Sequence, residues 1–405
     1  ISDDGLYYTF RLGKFVGIDA EYVARQLRNR IRRNSHNPFQ PLLGAVREII
    51  AVTPEVVEIR LNSPRANLLD LLAQPEMSIL GRKGGTGPLM LESTEHGLLT
   101  LSPPTDPDAA EAPDPADLRR RHVLLRGERA SRAIARFAAG QSDLVLGGRY
   151  LDLPLARAAK PRRQELRFDP VSGLFGFVIV ERQGFLGQAE NRRALAMAID
   201  RSRIASGFGL PDWQISHTIL APGAPDLPEP TQPGWIDAGL ALRRTVAADA
   251  VQFWKKANPD TPIRLRVALP RGPGSRLLFA YLRADWRTIG VEAVRVGAKD
   301  DADLRLIDEV APSRSANWYL RRFSCDRSRV CSEAADTMLE AGREAASPVD
   351  RSARLADAEL RLIDVVPFIP IAQPLRWSLV NGRLVGFQTN IRGVHPLNHL
   401  LAAQD

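Results

Sequence analysis

The chain has 405 residues, 44% of them hydrophobic and 25% charged, which is the composition of a folded globular protein. It contains no unbroken apolar run of about eighteen residues, so no segment is predicted to span a membrane. The net charge is +8, and only six of the 55 basic residues are lysines. The arginines are scattered and no aromatic residues interleave with them, so we predict no nucleic-acid partner.

Residues 1–118 are predicted to form a small subdomain. Gly5–Leu12 and Val52–Leu61 alternate apolar and polar residues as strands do, and Glu21–Ile31 has the spacing of a helix. The segment Ser102–Asp117 is rich in Pro, Asp and Ala, which indicates an exposed linker.

Residues 119–235 are predicted to form the core of a first lobe. Leu174–Val180 is an almost unbroken apolar run, which is typical of a strand buried on both faces. The residues that follow, as far as Ile204, have the spacing of an amphipathic helix. This spacing predicts that Arg192 and Arg201 point towards water.

Residues 236–385 are predicted to form a second lobe, and residues 386–405 to return to the first. The proline-rich stretch 220–234 reads as a semi-rigid connection between the two lobes. Helices and strands alternate along the second lobe, at Val246–Ala257, Ile263–Leu269, Arg276–Ile289, Val291–Val296 and Asp303–Ile307.

Several motifs occur in an order that resembles one known family. They are S-D-D-G-L-Y-Y-T-F-R-L at Ser2–Leu12, G-T-G-P at Gly85–Pro88, N-R-R-A-L-A-M-A-I-D-R at Asn191–Arg201 and A-D-W-R-T-I-G-V at Ala284–Val291. Together they resemble the extracellular solute-binding proteins of peptide- and nickel-type ABC transporters. Members of this family carry additional residues ahead of the first motif, so we expect this chain to be N-terminally shortened, either trimmed or naturally short.

The resemblance implies an α/β fold: a two-lobed, periplasmic-binding-protein-like clamp with an additional small subdomain. It also implies a monomeric periplasmic component that closes its lobes over a small polar or anionic solute, or an atypical peptide, and delivers it to a membrane permease. We expect no cofactor and no enzymatic activity, because the sequence has no G-x-S-x-G, Walker or H-E-x-x-H motif.

Three other functions stay open from the sequence. The chain could be the ligand-sensing domain of a cytoplasmic transcription regulator, which its basic balance would suit. It could also be a degenerate homologue that no longer transports a solute. A hydrolase or transferase on a similar fold is the third, although no nucleophile and base can be assembled from the sequence.

The expected ligand motif departs from the family pattern. In the peptide binders that this chain resembles, a carboxylate within G-W-x-x-D-x-x-D-P pairs with the amino group of the ligand. Counting back from Cys325 places Ala311 at that position. An ammonium group buried without a charge partner costs several kcal/mol, so a standard free peptide is not the expected ligand. Asp308 and Glu309 are candidate substitutes, or they simply end a strand at the surface.

Four further residues complete the predicted ligand site. Arg271, in P-R-G-P, resembles the position where dipeptide binders keep an arginine for the ligand carboxylate, and its alternative is a solvated loop residue. Trp213 and Trp318 are predicted to line the cleft, with packing in the core as their alternative. Asn317 precedes Trp318 and is predicted to lie in the same site.

The cysteines and histidines lead to separate predictions. Cys325 and Cys331 lie six positions apart, and the resemblance favours a local disulfide over two free thiols, which implies an oxidising compartment. Only His395 and His399 are close in sequence, and no neighbouring cysteine or carboxylate completes a metal shell. We therefore predict no metal site.

Overall fold

The computed structural model of the chain describes residues 1–13, 18–32, 35, 37, 39–65, 68–81, 84–85, 87–104, 114–227, 229–345 and 347–402. The chain forms two compact units, one of Ile1–Gly127 with Pro396–Asp405 and one of Glu128–His395. Within the described ranges, no helix is both long enough and apolar enough to cross a membrane.

The first unit carries two three-stranded antiparallel sheets and short helices. Its strands are β1 (Tyr7–Arg11), β2 (Val46–Thr53), β3 (Val56–Leu61), β4 (Leu80–Gly81), β5 (Gly84–Gly85), β6 (Met90–Glu95), β7 (Leu98–Ser102) and β8 (Val123–Arg126). Its helices are α1 (Ala20–Ile31), α2 (Leu68–Leu72) and α3 (Pro115–Arg121), with 3₁₀ turns at Gln40–Leu43, Pro75–Met77 and Leu397–His399. The sheet orders are β1-β3-β2 and β6-β7-β8.

The predicted strand Val52–Leu61 is wrong in one respect, because two strands meet within it. β2 ends at Thr53, the chain turns, and β3 starts at Val56 and pairs antiparallel with β2. Pro54 lies in the turn, where its missing N–H removes no hydrogen bond from the ladder. The proposed linker Ser102–Asp117 falls partly outside the described residues, and its last residues begin α3.

A five-stranded sheet forms the centre of the second unit, and further strands of this unit lie in smaller sheets. The strands and helices of the whole unit are as follows. Its strands are β9 (Leu144–Arg149), β10 (Leu166–Phe168), β11 (Gly173–Ile179), β12 (Arg264–Leu269), β13 (Glu292–Gly297), β14 (Leu304–Val310), β15 (Phe368–Ala372), β16 (Arg376–Val380) and β17 (Leu384–Val385). Its helices are α4 (Ala130–Ala138), α5 (Leu153–Ala158), α6 (Ala189–Ala198), α7 (Arg201–Gly207), α8 (Leu240–Ala257), α9 (Pro273–Arg287), α10 (Ala316–Arg321), α11 (Glu333–Glu344) and α12 (Pro348–Val365), with a 3₁₀ turn at Gly184–Gly187. A short strand β18 (Leu401–Ala402) follows in the first unit.

Strand β11 lies near the centre of this sheet, whose order is β13-β12-β14-β11-β15. Its side chains alternate between two hydrophobic cores, because Phe175 and Phe177 pack in one core and Leu174 in the other. Helices α6, α8 and α9 contribute to the first core, and α10, α11 and α12 to the second. The sheet is therefore covered on both faces, which explains why β11 reads as a continuous apolar run.

The helix predicted to continue to Ile204 is broken in the structure. α6 ends at Ala198, and Asp200 caps α7 by accepting a hydrogen bond from the backbone N–H of Arg203 at 2.9 Å. Arg192 and Arg201 were expected to face water, but they are 5% and 2% exposed. Both donate to backbone carbonyls, Arg192 to Val365 and Arg201 to Pro370. Backbone carbonyl oxygens at the end of α12 and within β15 thus accept hydrogen bonds from the two buried cations.

The expected boundary between two lobes at residue 235 does not separate the compact units. Residues on both sides of it belong to Glu128–His395, and β11 pairs with β14 in one sheet. Both sheet neighbours of β11 come from later in the chain, and the lobe boundary at residue 235 stays a prediction. Of the segment 386–405, residues from Pro396 onward belong with the first unit.

Candidate ligand-binding site

The ends of three parallel strands define one edge of the five-stranded sheet. β12 pairs parallel with β14, and β14 and β15 both pair antiparallel with β11, so β12, β14 and β15 point the same way. Their carboxyl ends meet at the edge where β11 begins. Ligands of α/β sheets bind beyond the carboxyl ends of the strands, so this edge is the place to look for a site.

A cavity of about 240 Å³ lies at this edge, where β14 ends and β11 begins. We call it the Ala311 cavity, and its lining residues are Pro170, Ser172, Ala311, Arg314, Ile391 and Arg392. The backbone N–H of Ala311 donates to the carbonyl of Ser172 at 2.8 Å, which fixes the two strand ends together. Among the residues that the structure describes, its lining contains two arginines and no carboxylate.

Both arginines of the Ala311 cavity are held by backbone oxygens. Arg392 Nη1 donates to the carbonyl of Ala311 at 3.3 Å and to the carbonyl of Pro312. Arg314 Nη2 donates to the carbonyl of Gly223 at 2.5 Å. A carbonyl oxygen orients the guanidinium of Arg314 without neutralising its charge, so this side chain suits an anionic group.

A larger groove of about 820 Å³ adjoins the cavity and shares Pro170 with it. We call it the basic groove, and its charged lining residues are Arg157, Lys160, Arg162, Arg163, Asp169 and Asp212. Asp169 contacts His395 Nε2 at 3.1 Å, with both side chains almost fully buried. Lys160 and Arg163 are exposed and make no ion pair with any residue that the structure describes.

Asp308 and Glu309 are close to this edge, but both are engaged. Asp308 Oδ1 accepts from Arg376 Nη1 at 2.7 Å, and each side chain of the pair is 11% exposed. Glu309 Oε1 accepts from Arg322 Nη2 at 2.7 Å. Neither arginine could be recognised as a partner from the sequence, because each pairing is made by the fold. The site therefore differs from the sequence prediction in having its carboxylates already paired.

The other predicted residues take different places. Trp213 is buried and donates from Nε1 to the carbonyl of Gln373 at 2.9 Å, and it also lines the basic groove. Trp318 packs edge-on against Tyr319, with ring centroids 4.9 Å apart. Asn317 lies on α10, where its Oδ1 is buried without a hydrogen-bond partner among the described residues. None of these contacts tests the predicted ligand role.

Arg271 follows β12, at the same sheet edge as Ala311, which follows β14. In the parallel register of β12 and β14, where Val267 pairs with Leu304, Arg271 is level with Asp308 rather than with Ala311. The side chain of Arg271 is exposed, and it is not among the lining residues of either the cavity or the groove. Its predicted contact with a ligand carboxylate stays a prediction.

Sequence reasoning missed the residues that give this edge its charge. Arg314 and Arg392 come from segments 78 positions apart, and neither was a predicted ligand residue. Only the K-P-R-R run at Lys160–Arg163 offered a local signal of the basic groove. Among 55 basic residues, no sequence pattern singles out the two that line the Ala311 cavity.

The predicted disulfide is present, with the Cα atoms of Cys325 and Cys331 5.1 Å apart. The backbone N–H of Cys325 donates to Asp336 Oδ2 at 2.9 Å, which ties the disulfide loop to α11. His395 stacks on Phe387, and His36 lies outside the described residues. Within the described ranges, no three His, Cys, Asp or Glu side chains cluster as metal ligands.

Known proteins provide an independent comparison. Over 284 residues the chain is 22% identical to the di/tripeptide-binding protein 3 of Pseudomonas aeruginosa, a match that covers 62% of this chain and 50% of that protein. The chain thus spans about half the length of the curated relatives it matches.

Solved structures show the fold. The murein tripeptide binding protein of Escherichia coli superposes with a TM-score of 0.79 and 16% identity, covering 100% of this chain and 89% of that one. A Brucella suis protein, NikA, crystallised in complex with Fe(III)-EDTA, gives a TM-score of 0.76 and 16% identity, covering 99% and 89%. The expected fold, that of two-lobed periplasmic binding proteins, is thereby confirmed.

A sequence profile of the bacterial extracellular solute-binding proteins, family 5 (middle region), matches residues 1–306. This match covers about three quarters of the chain and includes strands β11 to β13 and most of the motifs described above. The chain belongs to the bacterial extracellular solute-binding proteins of family 5.

Proposed function

We propose that this protein is the periplasmic solute-binding component of an ABC transporter and that its solute presents an anionic group to the Ala311 cavity. Family membership and the disulfide support a binding protein that works in an oxidising compartment. Its cycle is capture of the solute, closure of the lobes and delivery to a membrane permease, with no bond made or broken. Capture shifts the closure equilibrium only by its differential affinity for the closed form.

The charge of the sheet edge is the observation that carries the choice of solute. Of the described residues, six cationic side chains and two carboxylates line the Ala311 cavity and the basic groove. One of those carboxylates, Asp169, is buried against His395. A carboxylate or phosphate placed here would meet guanidinium donors suited to bidentate pairing, which is the stronger kind of hydrogen bond.

An ammonium group suits the Ala311 cavity less well than an anionic group does. At the position where the family resemblance expects an aspartate, Ala311 offers only a methyl group, and Asp308 and Glu309 are already paired with arginines. Desolvating an ammonium beside the guanidinium of Arg314 costs several kcal/mol. A zwitterionic peptide is therefore disfavoured at this position. The Fe(III)-EDTA complex of NikA from Brucella suis is a precedent for an anionic chelate on this fold.

Isothermal titration calorimetry with a matched pair of ligands tests this proposal. Alanyl-alanine carries an amino group, and N-acetyl-alanyl-alanine has the same backbone with that charge removed. We expect the acetylated anion to bind about tenfold tighter. Tighter binding of the free dipeptide would overturn the anionic assignment. Native mass spectrometry of the purified protein, in search of a bound anion, provides the second readout.

A matched pair of variants locates the effect. Arg314→Gln removes one guanidinium from the Ala311 cavity and should weaken anion binding about tenfold, the value of one charge-assisted hydrogen bond. Arg287→Gln changes an exposed arginine in the last turn of α9 and should leave the affinity unchanged. Equal affinities of the two variants would exclude the Ala311 cavity as the anion site.

A further inference from the structure

A second cavity of about 440 Å³ lies elsewhere in the Glu128–His395 unit. We call it the apolar cavity. Its wall is formed mostly by hydrophobic side chains, including those of Met197, Trp235, Val246, Leu362, Val366 and Phe368. Phe368 begins β15, whereas the basic groove lies beyond the end of the same strand, at Gln373. The two sites are therefore at opposite ends of β15 and share no lining residue.

One polar atom in the wall of the apolar cavity has no partner. Nδ1 of His217 is buried and makes no hydrogen bond to any described residue. The ring of His217 lies edge-on to Trp235, with centroids 5.5 Å apart. A buried nitrogen without a partner is destabilising, and a ligand with a complementary atom would satisfy it.

The surroundings of His217 are electropositive. The guanidinium groups of Arg201 and Arg243 lie 5.9 Å and 5.5 Å from the centre of the Trp235 ring. Arg201 donates only to backbone carbonyls, although Asp285 acts on it at longer range, as Asp200 does on Arg243. Burial, followed by the charges of the two arginines, lowers the pKa of His217 to about 3, so its ring is neutral at neutral pH.

Two charged residues at the mouth of the apolar cavity also bear on the charge of a ligand there. Arg193 and Asp364 both line the apolar cavity, and Arg193 Nη2 donates to the backbone carbonyl of Asp364 at 3.4 Å. Asp364 is exposed, so water screens its charge, whereas Arg201 is fully buried. Arg201 and Arg243 do not line the cavity, but their charges act on His217 in its wall and make that side of the cavity positive.

One residue in the wall of the apolar cavity has a strained backbone conformation. Val366 ends α12 in the left-handed conformation, with φ of 46°, where helices usually place glycine. A β-branched side chain in this region is a genuine outlier, so the backbone at Val366 is strained. The conformation places the valine side chain in the wall of the apolar cavity, a wall that glycine would leave open.

We infer that the apolar cavity is a second small-molecule site, separate from the solute site, for an amphipathic anion with an aromatic or branched apolar body and one carboxylate or sulfonate. The body packs against Trp235, Met197 and Phe368. The head group lies towards His217 and the arginine side. A volume of about 440 Å³ suits a molecule of this size and is too small for a folded partner segment.

Fluorescence titration with 8-anilinonaphthalene-1-sulfonate tests the inference on the full chain. This probe has an aromatic body and a single sulfonate, and we expect one saturable site per protein. N-phenyl-1-naphthylamine has the same aromatic body without the sulfonate, and we expect it to bind about tenfold more weakly. Equal affinities of the two probes would overturn the anionic head group.

Blocking the mouth gives the decisive variant. Val246 is 48% exposed, so Val246→Trp should obstruct the apolar cavity without disturbing the core, and the titration should lose its saturable phase. Val385→Trp makes the same change at a valine that is 53% exposed and lies outside the cavity, and it should bind the sulfonate probe like the unaltered protein. Undiminished binding to Val246→Trp would refute the site, provided that both variants keep the thermal midpoint.

A second variant separates this inference from the proposed function. Arg314→Gln alters the Ala311 cavity and should leave the sulfonate probe unaffected. A loss of probe affinity in Arg314→Gln would show that the probe occupies the solute site, and would overturn the inference. His217→Phe keeps the ring but removes the unpartnered nitrogen, and it should weaken the probe several-fold.

Discussion

Replacing Arg376 by methionine is predicted to destabilise the second unit, because it strands a buried carboxylate. Asp308 Oδ1 and Arg376 Nη1 are 2.7 Å apart, and each side chain is 11% exposed. Arg376 also donates from Nη1 to the carbonyl of Leu375 at 2.9 Å and from Nη2 to the carbonyl of Asp308 at 3.2 Å. The pair connects β14 of the five-stranded sheet to β16 of a neighbouring sheet.

The size of the expected loss in the free energy of unfolding follows from the burial of the Asp308–Arg376 pair. Removing one member of a buried ion pair costs about 3–5 kcal/mol, and the lower end applies here because each side chain keeps some contact with water. We therefore expect a loss of about 3 kcal/mol for Arg376→Met and a similar loss for Asp308→Leu. The double variant Asp308→Leu/Arg376→Met should lose less than either single variant, because no charge is left without its partner.

Urea unfolding followed by tryptophan fluorescence measures these free energies, and the buried Trp377 next to Arg376 provides a local probe. The exposed pair of Arg383 and Asp143, with 60% and 47% side-chain exposure, is the matched control. Arg383→Met should cost less than about 1 kcal/mol. Additive losses in the double variant, or equal losses at Arg376 and Arg383, would refute the reasoning.

Three further predictions concern single features of the second unit. Burial raises the pKa of Glu359, so the native state binds its proton more tightly than the unfolded chain, and stability should fall as pH rises above the ordinary glutamate pKa. Glu359→Gln should flatten that fall in urea unfolding between about pH 4 and about pH 8, and an unchanged slope would contradict this prediction. Replacing Cys325 and Cys331 by serine should cost about 2 kcal/mol, the chain entropy of a short loop, and adding reductant to the unaltered protein should reproduce this loss. Trp213→Phe keeps an aromatic ring but loses the hydrogen bond to Gln373, so a loss of about 1–2 kcal/mol is expected in the same assay; no loss would show that this bond contributes nothing.

Sequence patterns predicted the elements whose own residues determine them. The apolar run of β11 and its burial on both faces follow directly from composition, because a strand between two cores has no polar face to show. The disulfide and the family motifs could also be predicted, because their residues are close together in the sequence. Arg192 and Arg201 were predicted to face water, because helical spacing shows only on which side of its own helix a residue lies. The carbonyl oxygens that accept their hydrogen bonds belong to distant elements, the end of α12 and β15.

The candidate site was less predictable, because its character depends on pairings between distant segments. Asp308 looks like a free carboxylate until β16 brings Arg376 against it, 68 positions later. Glu309 is likewise paired by Arg322 of the loop after α10. The sequence predicts that Ala311 takes the place of the family's aspartate, but it gives no sign that Arg314 and Arg392 lie beside Ala311.

The position of β11 also has a consequence for the folding of the protein during its synthesis. Its neighbours in the sheet are β14 and β15, so synthesis must reach residue 304 before the strand can acquire its first partner and residue 368 before its second. Pairings this distant form slowly, and an unpaired apolar strand is prone to aggregate. The middle of a nascent chain therefore cannot complete this sheet until well after the β11 segment has left the ribosome.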